Sequence, residues 1–158
     1  MNVLEHLEPK SVFRFFEEMC AIPHGSRNTK AVSDWCADFA RARGLEYHQD
    51  GDNNIIIIKE AAPGYEAAPP VILQGHLDMV CEQTADCQKD MSREGLDLAV
   101  DGDFVYAKGT TLGGDDGIAV AMALALLDAE GLPHPRLEAV FTVDEEIGLL
   151  GAASIDVT

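Results

Sequence analysis

Apolar and polar residues recur along the chain with two different periods, and these divide it into short helices and strands. Pro9-Lys10-Ser11 predicts a helix start, with Ser11 as N-cap of a helix over Val12 to about Cys20. Ile22-Pro23-His24-Gly25-Ser26 interrupts it. A second helix is predicted over Thr29 to Arg43, where Val32, Trp35, Cys36 and Phe39 fall at helical spacing and Gly44 stops the run. Leu45 to His48 and Asn54-Ile55-Ile56-Ile57-Ile58 read as two strands joined by a hairpin turn at Asp50-Gly51-Asp52-Asn53. Four consecutive isoleucines suit a strand covered on both faces.

Ala61 to Pro70, with Pro63-Gly64 and Pro69-Pro70, reads as a loop, and the apolar run from Val71 as a buried strand. A polar, acidic loop extends from about Glu82 to Glu94. Leu96 to Val100 and Phe104 to Ala107 then flank Asp101-Gly102-Asp103 as a second hairpin. This is no EF-hand, which needs a further oxygen ligand at the position of Val105 and a glycine after it. Ile118 to about Glu130 is predicted as a largely buried helix ended by Gly131 and Pro133. Leu137 to Val143 is predicted as another buried strand.

Three of these elements carry polar chemistry at one end. The strand from Val71 ends in His76 and Asp78, and residues two apart on an extended chain point to the same side. A metal-binding histidine needs its second ring N–H held, commonly by a carboxylate, and Asp78 is close enough in sequence to do so. Taken alone, the pair equally describes a surface histidine beside a surface aspartate. Asp115 and Asp116 open the helix after Gly109-Thr110-Thr111-Leu112-Gly113-Gly114. Aspartates there also serve as cap and dipole partner, but the glycines allow close backbone approach. Two carboxylates at that mouth oppose a phosphate and favour a cation. Asp144-Glu145-Glu146 end the last strand, where three adjacent acids repel one another unless solvated or bound to a cation. In open α/β sheets, ligands gather beyond the carboxyl ends of strands. Three such ends meeting in one cleft would offer oxygen and nitrogen donors suited to zinc or a similar divalent ion.

Composition narrows the setting. At 158 residues the chain has the length of one domain with a sizeable core. Acidic residues outnumber Lys and Arg by 28 to 11, a formal charge of −17, which repels nucleic-acid phosphates and anionic lipids as partners. Part of that acidity is what a cation site looks like when read without its cation. Met1 to Glu18 mixes charges and shows no apolar signal segment, and the uncharged stretch Gly117 to Leu127 is too short to span a bilayer. Cys20, Cys36, Cys81 and Cys87 lack C-x-x-C spacing and read as thiols, so a cytoplasmic location is expected.

Gly75-His76-Leu77-Asp78-Met79-Val80, Gly109 to Gly117 and Asp144-Glu145-Glu146-Ile147-Gly148 resemble the three leading motifs of the co-catalytic zinc peptidase family. That family includes carboxypeptidases, aminoacylases, peptidase T and carnosinases. Ile22-Pro23-His24, Asn54-Ile55-Ile56-Ile57 and Leu73-Gln74 are further similar to its aminoacyl-histidine (Xaa-His) dipeptidase branch, so the resemblance runs through essentially the whole chain. It implies a metal-dependent dipeptidase acting on small peptides, with a homodimeric parent protein. The implied fold is a three-layer α/β/α catalytic domain with a mixed, mostly parallel sheet. The implied metal is zinc, two ions per complete site, with manganese or cobalt as alternatives. Position by position, His76 would bind one ion, Asp115 would bridge both and Glu146 would bind the other. Asp78 would orient His76 through its ring N–H, and Glu145 would be the general base. Asp116 stands where these dipeptidases have asparagine, and the peptide joining it to Asp115 is implied to be cis. Two ions about 3.5–4 Å apart need an anionic bridge, lower the pKa of a shared water and polarise the scissile carbonyl.

The resemblance also implies ligands that the 158 residues do not include: a carboxylate some tens of residues after the glutamate pair, and a late histidine. His6, His24, His48 and His134 match neither, and His24 reads as structural. The chain is therefore expected to be the N-terminal portion of the catalytic domain, without the lid and dimerisation domain or the C-terminal catalytic segment, and inactive alone. An unpaired sheet edge is expected to accompany this. Two readings from other classes stand beside the dipeptidase: a non-catalytic α/β interaction module, and an aminoacylase or carboxypeptidase of the same superfamily.

Overall fold

The computed structural model describes residues 3–155. Its elements run α1 (Lys10–Cys20), α2 (Lys30–Ala42), β1 (Glu46–Gln49), β2 (Ile55–Lys59), β3 (Val71–His76), β4 (Leu98–Asp101), β5 (Phe104–Ala107), α3 (Gly114–Asp128), β6 (Leu137–Thr142) and α4 (Leu150–Ser154). Residues 156–158, at the end of the expected fragment, lie outside the described residues.

Helix α1 buries Val12, Phe15, Phe16, Met19 and Cys20 along one stripe. It starts earlier than expected. Pro9 occupies the N-cap position and its carbonyl accepts the Phe13 N–H at 3.2 Å, so Ser11 lies inside the helix and caps nothing. Helix α2 buries Val32, Cys36 and Phe39 as its spacing predicts. Phe39 meets Phe15 edge to face at 5.4 Å. Arg14 and Arg43 both reach Asp128 at the end of α3, at 2.7 and 2.6 Å, which ties the three helices together.

The main sheet has the order β1-β2-β6-β3, with β4 and β5 forming a separate hairpin. The α/β class and the mixed sheet are as expected, and the share of parallel strands is smaller than expected. Only β3 and β6 run parallel, whereas β1–β2 and β2–β6 are antiparallel. The tight turn at Asp50 to Asn53 forces the first of these, because a short hairpin can join only antiparallel strands. The helices are placed by the faces of this sheet. Gln49, Ile55, Phe141 and Gly75 lie opposite one another across the four strands and so share a face. Gln49 bonds Ser33 of α2, an ideal Cβ on Gly75 would touch Val120 of α3, and α3 packs Gly117 against Phe16 of α1. Helices α1 to α3 therefore all cover that face. On the other, Ile56, Ile58 and Val140 are half-buried and Ile72 is 64% exposed. Among the described residues α1 to α3 bury Ile55 and Ile57 on one face of the isoleucine strand, and Ala152 of α4 shares a hollow with Gln74 and Thr142 on the other.

Strand β3 lies at the edge of the sheet. Val71 and Leu77 donate their N–H groups to β6 and its extension, so the even-numbered residues between them, Ile72, Gln74 and His76, turn theirs outward. Among the described residues no helix is long and apolar enough to cross a membrane. The four cysteines are free thiols.

Candidate metal centre

Parallel neighbours β3 and β6 end level with each other, His76 opposite Thr142, so the segments after both strands emerge at the same rim of the sheet. The start of α3 is held against that rim. Gly113 precedes it at φ 68°, and a Cβ there would press on Met79 Sδ at 2.9 Å, so both conformation and space call for glycine. Residues from three distant parts of the chain thereby meet.

His76 Nε2 lies 3.1 Å from Asp115 Oδ1. Glu146 completes the group: one ligand atom each from His76, Asp115 and Glu146 all fall within 4.8 Å of one another. Glu145 lies outside that group, although its Oε2 stands 3.8 Å from His76 Nε2. His76 is buried, while the Asp115 side chain is 86% exposed and free to adjust to a ligand. An imidazole nitrogen and two carboxylate oxygens so grouped fit a divalent cation of the zinc type. Asp116 points elsewhere. Its Oδ2 accepts the outward N–H of His76 at 3.3 Å, so it braces the edge strand while Asp115 faces the imidazole. The peptide between the two aspartates is cis.

Asp78 is fully buried and does more than sequence spacing indicates. Its carbonyl oxygen accepts the His76 ring N–H at 2.9 Å, while its carboxylate Oδ1 lies 3.4 Å from the same nitrogen. The ring is thus held by Asp78 through the main chain where a carboxylate was expected. The carboxylate itself accepts the Ser26 hydroxyl at 2.7 Å, the Glu145 N–H at 3.0 Å and the Glu146 N–H at 3.3 Å. It therefore clamps the turn bearing both glutamates to the end of β3. Asp144 reinforces the turn from a left-handed φ of 54° that aspartate tolerates, its Oδ1 accepting the Arg27 N–H at 2.5 Å. Ser26 went unread in the sequence because it lies in an apparent helix-breaking segment. Only the bridge of Gly25 to Met79 brings it here.

The remaining histidines stay apart from the group. His24 is buried, donates its ring N–H to the Ile22 carbonyl at 2.6 Å and has its pKa lowered by burial, against smaller raising effects of that bond and Asp78. His134 is buried against Pro135, and His6 and His48 are exposed.

Burial alone would lower the His76 pKa, but the Asp115 carboxylate, the Asp78 carbonyl and the charges of Asp78 and Asp116 together raise it above the ordinary histidine value. The Asp116 carboxyl is also raised, first by burial and then by Asp115 and Glu145, with His76 opposing. A metal ion must displace the His76 proton. Apparent affinity for a divalent cation is therefore expected to fall as pH drops through the raised pKa, with proton release on binding. For the metal-free fold the sign is opposite: stability from protonated His76 is present below its unfolded pKa and lost as pH rises through the folded one. Calorimetric zinc titrations in buffers of different ionisation enthalpy would measure the proton count; none released near neutral pH would contradict the shift.

Gly75 makes this arrangement possible, since a Cβ there would lie 2.9 Å from Asp116 Oδ2 and 3.3 Å from Val120 Cγ2. Gly75→Ala is expected to cost about 1–3 kcal/mol by overpacking and to weaken binding of a divalent cation through displaced Asp116 and His76. Urea unfolding and a zinc titration would check both.

A mixed α/β sheet whose strand ends bring an imidazole and carboxylates into one open rim can hold a divalent cation there. The pattern of peptidase family M20/M25/M40 matches residues 72–156, more than half of the chain, and the chain belongs to that family. It is 38% identical over 152 residues to the cytosol non-specific dipeptidase of Escherichia coli (strain K12), covering 96% of this chain and 31% of that protein. It superposes on the crystal structure of aminoacylhistidine dipeptidase from Vibrio alginolyticus with a TM-score of 0.94 and 36% identity, covering 97% of this chain and 31% of that one. A tripeptidase from Staphylococcus aureus shares the fold at 22% identity, TM-score 0.74, over 93% of this chain and 39% of its own. The chain thus spans about a third of the length of the dipeptidases it matches.

Proposed function

We propose that this chain carries the proton-transfer residue and half of the metal ligands of a dizinc dipeptidase, with Xaa-His dipeptides among its substrates. The observation that supports this most is the meeting of His76, Asp115 and Glu146 within 4.8 Å. His76 and Glu146 would each hold one ion and Asp115 would bridge them. Bound ions would supply Lewis-acid polarisation of the scissile carbonyl and a water of lowered pKa. Glu145 would accept that water's proton and pass it to the leaving nitrogen. Asp78 would hold His76 through its carbonyl and the glutamate turn through its carboxylate.

Residues 1–158 would form the N-terminal portion of the catalytic domain, and by themselves would bind zinc weakly and hydrolyse little. A further carboxylate, a histidine, and a lid and dimerisation domain would come from chain outside this sequence. A homodimeric parent and a cytoplasmic location accord with this reading. The family places the chain among peptidases, and nothing in the site favours an interaction module. In the full-length protein, chelation is expected to abolish dipeptide hydrolysis and zinc to restore it, and His76→Ala and Glu146→Gln are each expected to weaken zinc binding at least about ten-fold. Hydrolysis that survives chelation, or variants that keep full zinc content, would defeat the proposal.

A further inference from the structure

The loop that carries Glu145 and Glu146 is anchored from beneath as well as at the rim. It leaves β6 at Val143 and returns at Gly151, where the Gly151 N–H bonds the Val143 carbonyl at 3.0 Å and the Leu150 N–H bonds the Asp144 carbonyl at 3.2 Å. Continuing the register that sets Ile55 opposite Phe141, Val143 would face Asn53. Asn53 instead turns away at φ 75°, so the main-chain ladder stops there and the Asn54 side chain takes its place. Asn54 Oδ1 accepts the Val143 N–H at 3.1 Å. Its Nδ2 donates to the Gly151 carbonyl at 3.2 Å and to Asp50 Oδ2 at 2.7 Å, with Ser154 Oγ further off at 3.5 Å. Asp50 is itself fixed by the N–H groups of Asp52 and Asn54, both at 2.9 Å. A carboxylate and a carbonyl only accept and a main-chain N–H only donates, so the amide fits in one orientation. Asn54 is 1% exposed, and a Cβ on Gly151 would collide with its Oδ1 and with the Val143 carbonyl.

We propose that Asn54 is a positioning residue for the reaction: its single amide holds both legs of the loop and so fixes where Glu145 and Glu146 stand relative to His76. The inference rests on the dipeptidase reading and adds to it a residue outside the metal group. Asp78 holds the same loop at the rim, through the N–H groups of Glu145 and Glu146. Asp78 follows β3, however, whereas Asn54 leads into β2, so the two ties fasten the loop to different strands. Losing the lower one leaves the loop free to swing about the upper. Displacing a reacting group by about 1 Å can cost on the order of 10²-fold in rate. Glu145 takes up its proton only as the reaction proceeds, so its displacement is read in kcat and not in KM.

The test uses the full-length protein and two variants of the joint, Asn54→Ala and Asp50→Ala, the second of which removes the carboxylate that orients the amide. Ile57, buried on the same strand, supplies a control: its valine or alanine variant is chosen to match the loss in Tm. Asn54→Ala is expected to lower kcat on a dipeptide about ten- to a hundred-fold, with KM kept within about two-fold. In the metal-free protein it is expected to speed hydrogen exchange of the Glu145 and Glu146 amides at least about ten-fold. Asp50→Ala is expected to do both to a smaller extent, and it decides the matter if Asn54→Ala does not fold. The Ile57 control is expected to do neither. Joint variants with wild-type kcat and exchange, or a control that loses as much at equal Tm, would overturn the assignment. A wild type that hydrolyses no dipeptide would sink the dipeptidase reading, while exchange of the two amides would still decide whether Asn54 holds the loop.

Discussion

Glu145→Gln in the full-length protein is expected to lower kcat by about 10²–10⁴-fold, the usual contribution of a positioned general base, while zinc content stays at the wild-type level. Glutamine has the same size and can still accept a hydrogen bond, but it cannot take up a proton. The two neighbouring glutamates differ in where the turn sends them. Glu146 contributes an atom to the group with His76 and Asp115, whereas Glu145 lies outside that group and borders the hollow lined by His76, Asp116 and Thr142. Their main-chain N–H groups share the Asp78 carboxylate, so replacing either side chain leaves the turn anchored. Zinc content by elemental analysis and turnover on a dipeptide, measured on Glu145→Gln and Glu146→Gln side by side, separate the roles. Equal loss of metal in both would refute the division.

Asp78→Ala is expected to be the most destabilising single change at the site, at about 3–5 kcal/mol. Three donors depend on its carboxylate: the Ser26 hydroxyl and the amides of Glu145 and Glu146. Each buried donor left without an acceptor costs roughly 1–3 kcal/mol, and relaxation of the turn into solvent would recover part of that. Asp78→Asn keeps one acceptor oxygen and is expected to fall between wild type and alanine. The His76 ring bond runs to the Asp78 carbonyl, so it survives both changes in principle. Loss of zinc affinity in Asp78→Ala would then reflect the released glutamate turn more than a misoriented imidazole. Urea unfolding with a zinc titration of both variants checks the order; an alanine variant as stable as wild type would show that the clamp contributes nothing.

Much of this site can be read along the chain. An apolar run that stops at His76, another that stops before Asp144, and glycines that open the helix at Asp115 mark three places where polar groups emerge from buried elements. Those are local signals, because period and turn chemistry depend on near neighbours. The identity of the donors is likewise written in the residues themselves. Pairing and exposure are different, since they depend on partners tens of residues away. Nothing local makes Asp116 brace the His76 N–H while Asp115 faces the ring, or brings the Ser26 hydroxyl to Asp78 across 52 residues. Nor do four consecutive isoleucines say which of their faces α1 to α3 will cover.

The residues alone determined the class of fold, the strand ends where chemistry gathers and the donor types that favour a divalent cation. Tertiary packing decided the rest. It chose which carboxylates share space with His76 and bound the Asp78 carboxylate to the glutamate turn. The physical reason is that a side chain's chemistry is its own, whereas its partners are selected by the long-range burial that brings separate strands together.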